Sequence, residues 1–454
     1  MPGVRPSERI MTVAERPSRR EFVLTALAGA GLAVLADGGL ARDPGRRGRV
    51  RFGVNYTPSK HWWYSWLDWD PRSIARDLRA IGTLGMDHLR IQCLWPVFQP
   101  HINYVSDTAL DRLRALLDLA DGANLDVEVT VLNGWLSGYA FTPAWVEPKW
   151  KGEKRNIFTE PEIIEAEKLL FRAIAEEVGS HPRFLGFDLG NELGVLQQRD
   201  FPASPSEADR WAREMLTYCE GLSPGRFHVN GVDHTHWFSN YGFTRDNLSN
   251  AGAATVLHTY ILFTGALQRY GYNGVGSLHL AEYCVELARA YQRDPGRPVW
   301  LQEFGASAEW MPADYVPEFA ERTIRNAATC AGLWGFTWWS SHDLNPRLKG
   351  FAKLEYDLGL LDHENRVKPS GRRVSNLIRE FRRQPPAILP RQVALVISDG
   401  LLSATPYPPQ WTLAKPYMDL ISQGVRPAIV LESRLKDDAY LKARGITEFV
   451  RIKN

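Results

Sequence analysis

Short apolar runs alternate with helical stretches along most of the chain, and this alternation limits the folds open to it. Eight runs rich in Val, Ile, Leu and Phe occur at residues 50–56, 87–95, 126–135, 183–192, 226–232, 254–260, 298–305 and 333–340. Parallel strands buried on both faces have this near-continuous apolar character. Eight such runs with mostly helical connectors predict an α/β fold, a (β/α)8 TIM barrel. A doubly wound open sheet is the alternative, but the Gly-rich phosphate turn that it usually carries after an early strand is missing.

The segments between the runs have apolar residues at the 3.6-residue spacing of an amphipathic helix. Helices are predicted at residues 73–84, 161–178, 208–219, 281–291 and 315–331. We therefore expect the barrel to occupy residues 50–385.

A second α/β pattern begins after about Pro385. Strands are predicted at residues 391–398, 426–432 and 447–452, with helices at 409–423 and 435–443. Together they form a small C-terminal α/β segment over residues 390–454. Three strands with open edges make a poor independent domain. We expect this segment to pack on the barrel or to pair with another subunit in a homo-oligomer.

Residues 1–41 are predicted to be a targeting segment rather than part of the fold. Two arginines in "SRREFVL" (Ser18 to Leu24) directly precede an apolar run from Phe22 to Ala36 that is short for a membrane span. The segment resembles a bacterial twin-arginine export signal, with cleavage expected after Ala36 or Ala41. An uncleaved membrane anchor is the alternative. We expect an extracellular or periplasmic protein with no stable membrane association after cleavage.

Composition narrows the classes of function. The formal net charge is +2, so nothing indicates binding to nucleic acid. The four cysteines form no CxxC pair, so a zinc site is not expected. His234 and His236, in "DHTHW", lack clustered carboxylates at matching strand ends and are interpreted as a loop lining the cleft. We expect no metal ion and no other cofactor. The 16 tryptophans suit contact with sugar rings and also a large core.

Polar and aromatic residues stand at the ends of five predicted strands. The second run carries Arg90, the fourth ends with Asn191 and Glu192, the sixth with His258 and Tyr260, the seventh with Glu303 and the eighth with Trp338 and Trp339. In a barrel of this type, active groups lie at the C-terminal ends of several strands. A glutamate on each of the fourth and seventh strands is difficult to explain as a solvated edge. These residues are candidates for one active site.

The pattern resembles clan A of the glycoside hydrolases, and most closely glycoside hydrolase family 5, which includes cellulases, mannanases and β-mannosidases. The resemblance spans about residues 51–385 and rests on the order of Arg90, Asn191, Glu192, His258, Tyr260, Glu303 and Trp338. In that clan the strand-four glutamate is the general acid/base and the strand-seven glutamate is the nucleophile, which implies these roles for Glu192 and Glu303. The third strand of the family often ends in a histidine, which this chain lacks. "VLNGWLSG" (131–138) is instead similar to the mannanase form, with Asn133 and Trp135 at the rim.

The chemistry of that family accounts for the paired glutamates. Cleavage with retention needs a carboxylic acid that protonates the leaving oxygen and a carboxylate that attacks the anomeric carbon, about 5 to 5.5 Å apart. We expect the apolar strand and the neighbouring negative charge to raise the pKa of Glu192. Glu303 is expected to stay ionised through hydrogen bonds from Arg90 and Tyr260. Asn191 is expected to hold the 2-hydroxyl of the sugar.

Several tryptophans are predicted to contact substrate. Trp338 or Trp339 is expected to form the floor under the reacting sugar, because an indole offers a flat apolar face. The tryptophans expected to line the first three loops, or else to belong to the core, are Trp62, Trp63, Trp66, Trp69, Trp95 and Trp135.

The resemblance also bears on the substrate, which is expected to be a β-linked oligo- or polysaccharide. The long segment 340–371 is similar to one that walls the cleft into a pocket in β-mannosidases and related exo-enzymes. The C-terminal segment resembles part of a flavodoxin-like or amidotransferase-like domain appended to some exo-enzymes, without its nucleophilic Cys or phosphate-binding loop. We expect an exo-β-mannosidase that cleaves β-mannosides or β-glucosides. The alternatives are an endo-β-mannanase or cellulase and, from another class, a non-catalytic carbohydrate-binding barrel.

Overall fold

The computed structural model describes residues 49–147, 154–239, 242–400 and 414–451. The predicted export signal and the first residues of the helix predicted at 409–423 lie outside the described residues. Among those described, no helix is both long enough and apolar enough to cross a membrane.

Seven parallel strands form the main sheet, in the order β6-β3-β2-β1-β9-β8-β7. The strands of this sheet and of the small β4–β5 hairpin are β1 Arg51–Asn55, β2 His88–Leu94, β3 Asp126–Asn133, β4 Trp135–Leu136, β5 Tyr139–Ala140, β6 Phe184–Gly190, β7 Thr255–Thr259, β8 Val299–Phe304 and β9 Leu333–Trp338. Nearly every residue of the seven strands is buried, as the continuous apolar runs predict.

The fifth predicted strand, residues 226–232, is not a regular strand, although it runs beside β6. Val229 forms a parallel bridge with Asp188, and its amide donates to the carbonyl of Phe187 at 2.8 Å. The amide of Phe187, which a regular ladder would pair with a backbone carbonyl, donates instead to Nδ1 of His228 at 3.1 Å. One side chain therefore interrupts the ladder. This segment occupies the position of the fifth strand beside β6. The protein is therefore a (β/α)8 TIM barrel.

Helices connect the strands on the outside of the barrel. Their bounds are α1 Pro71–Thr83, α2 Trp95–Phe98, α3 Asp107–Gly122, α4 Pro161–Val178, α5 Leu193–Arg199, α6 Pro205–Leu222, α7 Thr235–Phe238, α8 Arg245–Asn250, α9 Ala266–Tyr270, α10 Val275–Leu278, α11 Leu280–Tyr291, α12 Val316–Ala327 and α13 Pro369–Arg383. The long helices α1, α4 and α6 each begin at a proline, whose fixed φ suits the first helical position. The five helices predicted from the sequence are all present, with ends shifted by a few residues.

The C-terminal residues form a second parallel sheet, in the order β11-β10-β12. Its elements are β10 Val393–Ile397, α14 Ala414–Ser422, β11 Ala428–Leu431, α15 Asp438–Arg444 and β12 Glu448–Arg451. Buried ion pairs join it to α11. Arg391 donates to Glu282 at 2.7 Å, and Arg444 donates to Glu286 at 2.7 Å. The segment therefore packs on the barrel, one of the two arrangements expected; pairing with another subunit stays a prediction.

Candidate active site

Two glutamates meet at the C-terminal rim of the barrel. Glu303 is the fifth residue of β8, and Glu192 follows β6 by two residues. One carboxylate oxygen of each and one ring nitrogen of His258 all lie within 4.8 Å of one another. The expectation that the two glutamates share one rim is confirmed. Two carboxyl groups this close can act on the same glycosidic bond.

Glu303 is held at both carboxylate oxygens. Arg90 Nη1 donates to Oε1 at 2.5 Å, and the hydroxyl of Tyr260 donates to Oε2 at 3.0 Å. Both contacts were predicted from the sequence. Nδ1 of His258 lies 3.4 Å from Oε2. These donors fix the direction in which the carboxylate points, which a nucleophile in a rigid site requires.

Arg90 is the centre of a buried hydrogen-bond network. Its Nε and Nη2 both donate to Oδ2 of Asp188, at 2.9 and 2.7 Å. Nη1 also donates to Asn55 at 3.0 Å, and Nη2 to Asn191 at 2.9 Å. Burial opposes the charged form of Arg90, but the charges of Asp188 and Glu303 outweigh it and raise its pKa. The guanidinium therefore stays charged inside the barrel.

Asp188 was not among the predicted site residues. Its fully buried carboxylate orients Arg90 and also accepts from Thr130 at 3.0 Å and from the amide of Gly231 at 2.7 Å. A signal for it was available, because an aspartate inside the apolar run "GFDLG" must have a buried partner. The arginine predicted for the same rim was that partner.

Glu192 stands in a different environment. Its backbone is left-handed, with φ 47° and ψ 47°, a conformation that is strained for a residue with a side chain. Burial raises the pKa of Glu192, and the negative charges of Glu303 and Asp233 raise it further, against the opposing hydrogen bond from His258 at 2.9 Å. The predicted direction is confirmed. A carboxyl group with a raised pKa suits the general acid of a glycosidase.

His258 links the two glutamates. Gln302 donates through Nε2 to Asp188 at 3.3 Å, so its Oε1 faces Nε2 of His258, at 2.9 Å, and Nε2 of the ring is the donor. Nδ1 then donates to Glu192 when the ring is charged, and accepts the proton of Glu192 when the ring is neutral. Burial lowers the pKa of His258, but the charges of Glu303 and Glu192 outweigh it and raise the value.

A cavity of about 420 Å³ opens over the glutamates. The predicted site residues that line it are Trp135, Asn191, Glu192, Tyr260, Glu303 and Trp339. Asn191 accepts from Arg90 and donates to the carbonyl of Trp135 at 2.8 Å, which leaves one amide hydrogen for a ligand. The guanidinium of Arg199 lies 4.6 Å from the ring of Trp135. The cavity therefore combines aromatic walls with a few fixed polar groups, as small-molecule sites do.

Three of the predicted substrate contacts, Trp95, Asn133 and Trp338, do not line the cavity. Trp95 is fully buried and donates to Gln99 at 2.9 Å, since it begins helix α2 and turns into the core. Asn133 is buried and donates to Gln92 at 2.8 Å. Successive residues of a strand face opposite sides, so of the tryptophan pair only Trp339 reaches the cavity.

Arg90 and His258 were also predicted to bind substrate. Neither lines the cavity, and both contact the glutamates instead. They are positioning residues. Both side chains are fully buried.

The early tryptophan cluster belongs mainly to the core. Trp62 and Trp63 stack on each other with ring centroids 3.8 Å apart, and both contact Phe351 of the segment 340–371 edge-on. Trp66 is buried and donates to the carbonyl of Gln92 at 2.7 Å. Trp69 is stacked on Trp66. These side chains join the first loop, which follows β1, to the eighth loop, residues 340–371, which follows β9. None of them lines the cavity.

Several residues that line the cavity were not predicted as contacts. Among them are Asp233, Phe263, Trp310 and Glu355. His234 was expected to lie in a loop lining the cleft, and it does line the cavity. His236, by contrast, is buried beside Asp233, with Nδ1 3.9 Å from its carboxylate. The aromatic residues carry no local sequence signal, because their place depends on how the loops fold over the rim.

Glu192, His258 and Glu303 also form the cluster, within the described ranges, whose spacing could hold a metal ion. The atoms that could bind a metal ion already form hydrogen bonds. His258 is hydrogen-bonded to Glu192, and Glu303 accepts hydrogen bonds from Arg90 and Tyr260. The permanent positive charge of Arg90 next to Glu303 disfavours a second cation at that point. The existing hydrogen bonds therefore account for these three side chains without a cation.

No protein-family model and no curated protein sequence matches the chain. It is similar to the solved structure of a GH5_18 from Streptomyces cattleya in complex with GlcNAc, with 41% identity and a TM-score of 0.85, over 89% of this chain and 99% of that chain. It is also similar to a glutamate-to-alanine variant of a GH5_18 from Bifidobacterium longum subsp. longum in complex with Manb1-4GlcNAc, with 34% identity and a TM-score of 0.81, over 89% of this chain and 96% of that chain.

An exo-beta-1,4-mannosidase from Opitutaceae bacterium strain TAV5 is 24% identical, with a TM-score of 0.71, over 84% of this chain and 70% of that chain, and this likeness supports the fold alone. The two GH5_18 likenesses, at 41% and 34% identity over nearly the whole of each relative, agree with the paired glutamates at the barrel rim. The chain therefore belongs to glycoside hydrolase family 5 and is a glycosidase that hydrolyses O-glycosyl bonds.

Proposed function

We propose that the protein is a retaining exo-β-mannosidase that releases mannose from the non-reducing end of short β-linked glycans. The observation that carries the proposal is the pair of carboxylate oxygens, from Glu192 and Glu303, within 4.8 Å at one rim of the barrel. This closeness supports retention, for which the carboxyl groups lie about 5 to 5.5 Å apart, over inversion, for which they lie about 6.5 to 9.5 Å apart.

The proposed mechanism is a double displacement. Glu303 attacks the anomeric carbon while Glu192 gives its proton to the leaving oxygen, so the glycosidic bond breaks and a glycosyl ester forms on Glu303. Glu192, now a carboxylate, then removes a proton from water, and the resulting oxygen attacks the anomeric carbon and frees Glu303. His258 holds Glu192 through both steps, and Arg90 and Tyr260 hold Glu303.

The eighth loop supports exo action. Residues Ala352, Leu354, Glu355 and Leu358 of this loop line the cavity. The loop also reaches the β4–β5 hairpin, where the hydroxyl of Tyr139 donates to the carbonyl of Gly350 at 2.6 Å. A bridge between these two loops walls one side of the cavity. An endo-β-mannanase or cellulase needs a groove open on both sides, which makes it the less favoured alternative.

Manb1-4GlcNAc is the proposed substrate. The likeness to a GH5_18 variant in complex with this disaccharide supports the choice. A disaccharide also suits the size of the cavity, because about 420 Å³ holds a small ligand rather than a polymer segment. The non-catalytic binding alternative is set aside, because the family membership and both glutamates indicate a glycosidase.

The test is an analysis of early products. Purified protein is incubated with Manb1-4GlcNAc and with β-1,4-mannohexaose, and the products are separated at low conversion while the anomer formed is followed by proton NMR. We expect mannose, released first as the β-anomer, together with GlcNAc from the disaccharide and mannopentaose from the hexaose. A spread of di- and trisaccharides from the hexaose would favour the endo alternative, and first release of the α-anomer would exclude retention.

We also propose that residues 1–41 export the protein, because paired arginines precede a short apolar run. Fusion of this segment to a reporter that fluoresces only after folded export tests it. Replacing both arginines with lysine should abolish export, whereas unchanged export would exclude the twin-arginine route.

A further inference from the structure

We propose that Glu355 is a specificity-determining residue that accepts hydrogen bonds from hydroxyl groups of the terminal sugar on the Glu303 side of the cavity. This inference rests on the proposed function, because it names the group that recognises the sugar whose bond is broken. Glu355 is a third carboxylate of the site, and the reaction itself does not use it.

Glu355 has the position and the unmet hydrogen-bonding capacity of a ligand-binding group. It lies in the short 3-10 helix Lys353–Tyr356 of the eighth loop and lines the cavity. Its side chain is more than nine-tenths buried, with a residue exposure of 6%, and Oε2 has no hydrogen-bond partner among the described residues. A buried carboxylate oxygen without a donor is costly, so the free site lacks something that a ligand can supply.

The neighbours of Glu355 locate it on one side of the scissile bond. It lies in the loop that follows β9, and β9 pairs with β8, the strand that carries Glu303. Trp339, directly after β9, lines the cavity with it. In the proposed mechanism, the sugar that Glu303 attacks occupies this side. The leaving group lies on the side of Glu192. Glu355 therefore faces the sugar that is released.

The cavity wall at Glu355 offers both an acceptor and a donor of hydrogen bonds. Burial raises the pKa of Glu355 to about 7, and the negative charges of Glu303 and Glu192 add to the rise. Hydrogen bonding by the side chains of Ser137 and Trp339 lowers the pKa and so opposes this rise. The indole Nε1 of Trp310, also in the cavity wall, has no hydrogen-bond partner among the described residues. An acceptor and a donor in one apolar wall match the mixed hydrogen bonding of sugar hydroxyl groups. Since a sugar lacking the matching hydroxyl would leave Glu355 unpaired, the contact discriminates between sugars.

The experiment pairs variants of the enzyme with altered substrates. The variants are Glu355→Gln, which keeps the side-chain volume, and Glu355→Ala, which removes the contact. Glu364→Gln, an exposed glutamate of the same loop that pairs with Arg366, is the matched control. The substrates are 4-nitrophenyl β-mannoside and its 3-deoxy, 4-deoxy and 6-deoxy analogues. Thermal unfolding of each variant checks that it is folded.

We expect the wild type to lose at least about tenfold in kcat/KM on one deoxy substrate, the loss typical of a hydrogen bond to a charged group. Glu355→Ala should lose a similar factor on the parent mannoside and little more on that same deoxy substrate. Glu355→Gln should fall between, and Glu364→Gln should behave as the wild type. If every deoxy penalty stays as large in both Glu355 variants as in the wild type, the inference is wrong although the protein is a β-mannosidase.

Failure of the proposed function has a separate signature. A wild type that cleaves another β-glycoside and not the mannoside would contradict the choice of substrate. The same cycle, repeated on deoxy analogues of the glycoside that is cleaved, then tests Glu355 independently. Should Glu355→Ala not unfold but leave kcat/KM and every deoxy penalty unchanged on that glycoside, Glu355 does not recognise the sugar.

Discussion

The two rim glutamates have the same side chain and opposite surroundings. Glu303, in β8, accepts from Arg90 and Tyr260, one donor on each oxygen. Glu192, beyond the end of β6, has His258 as its hydrogen-bond partner within the described part of the chain, and its backbone is left-handed. One carboxylate is clamped, and the other is free to gain and lose a proton.

This difference separates the proposed roles. A nucleophile must be aimed at the anomeric carbon, and two strong donors aim Glu303. A general acid must hold a proton near neutral pH, and burial with nearby negative charge raises the pKa of Glu192. Two like residues in one cavity thus act differently because their neighbours differ.

Removal of the clamped carboxylate should have the largest effect. We expect Glu303→Ala to lower kcat/KM by at least about 10⁴-fold, as loss of a nucleophile does. Azide should restore part of the activity, because it attacks the anomeric carbon directly and forms an α-glycosyl azide. The control is Glu309→Ala, an exposed glutamate in the segment that follows β8. Full activity of Glu303→Ala, or azide product of β configuration, would contradict the assignment.

Removal of the proton carrier should have an effect that depends on the leaving group. Glu192→Gln should lower kcat/KM for Manb1-4GlcNAc by about 10² to 10⁴-fold. The same substitution should cost far less with 4-nitrophenyl β-mannoside, because nitrophenolate leaves without a proton. The two substrates are compared under identical conditions. Equal losses on both would show that Glu192 does not protonate the leaving oxygen.

The His258 contact offers a smaller and directional test. The protonated form of Glu192 is the active one, so kcat/KM falls as pH rises through its pKa. His258 opposes the rise of this pKa, so His258→Gln should raise it further and move the basic limb of the pH profile to higher pH. The pH dependence of kcat/KM with Manb1-4GlcNAc measures this. An unmoved limb, or one moved to lower pH, would break the proposed link between His258 and Glu192.

Removal of metal ions should have no effect on kcat/KM. Although Glu192, His258 and Glu303 are close enough to hold a cation, the proposed mechanism uses them as acid, positioning group and nucleophile. Dialysis against EDTA should leave kcat/KM unchanged, with buffer dialysis as the control. Loss of activity that zinc or calcium restores would mean that the cluster is a metal centre.

Much of the fold was predictable because periodicity is a local property. Each strand of the barrel appears in the sequence as an apolar run, and α4 was predicted at its observed bounds, Pro161–Val178. The irregular fifth strand was not predictable in the same way. Its ladder is interrupted by a ring nitrogen of His228 that accepts from a residue 41 positions earlier in the chain. A long-range side-chain contact of this kind leaves no periodic trace.

The same distinction between local pattern and long-range contact applies to the residues of the candidate site. All strands of a parallel barrel run in the same direction, so their C-terminal ends lie at one rim. The sequence by itself therefore determined that Glu192 and Glu303 would lie at the same rim. Only the tertiary structure decided that Trp339 and not Trp338 faces the cavity, that Trp95 lies in the core, and that Glu355 joins the site. The reason is that strand ends are ordered by the backbone, whereas the place of a loop side chain depends on contacts between segments far apart in the chain, such as Tyr139 with Gly350.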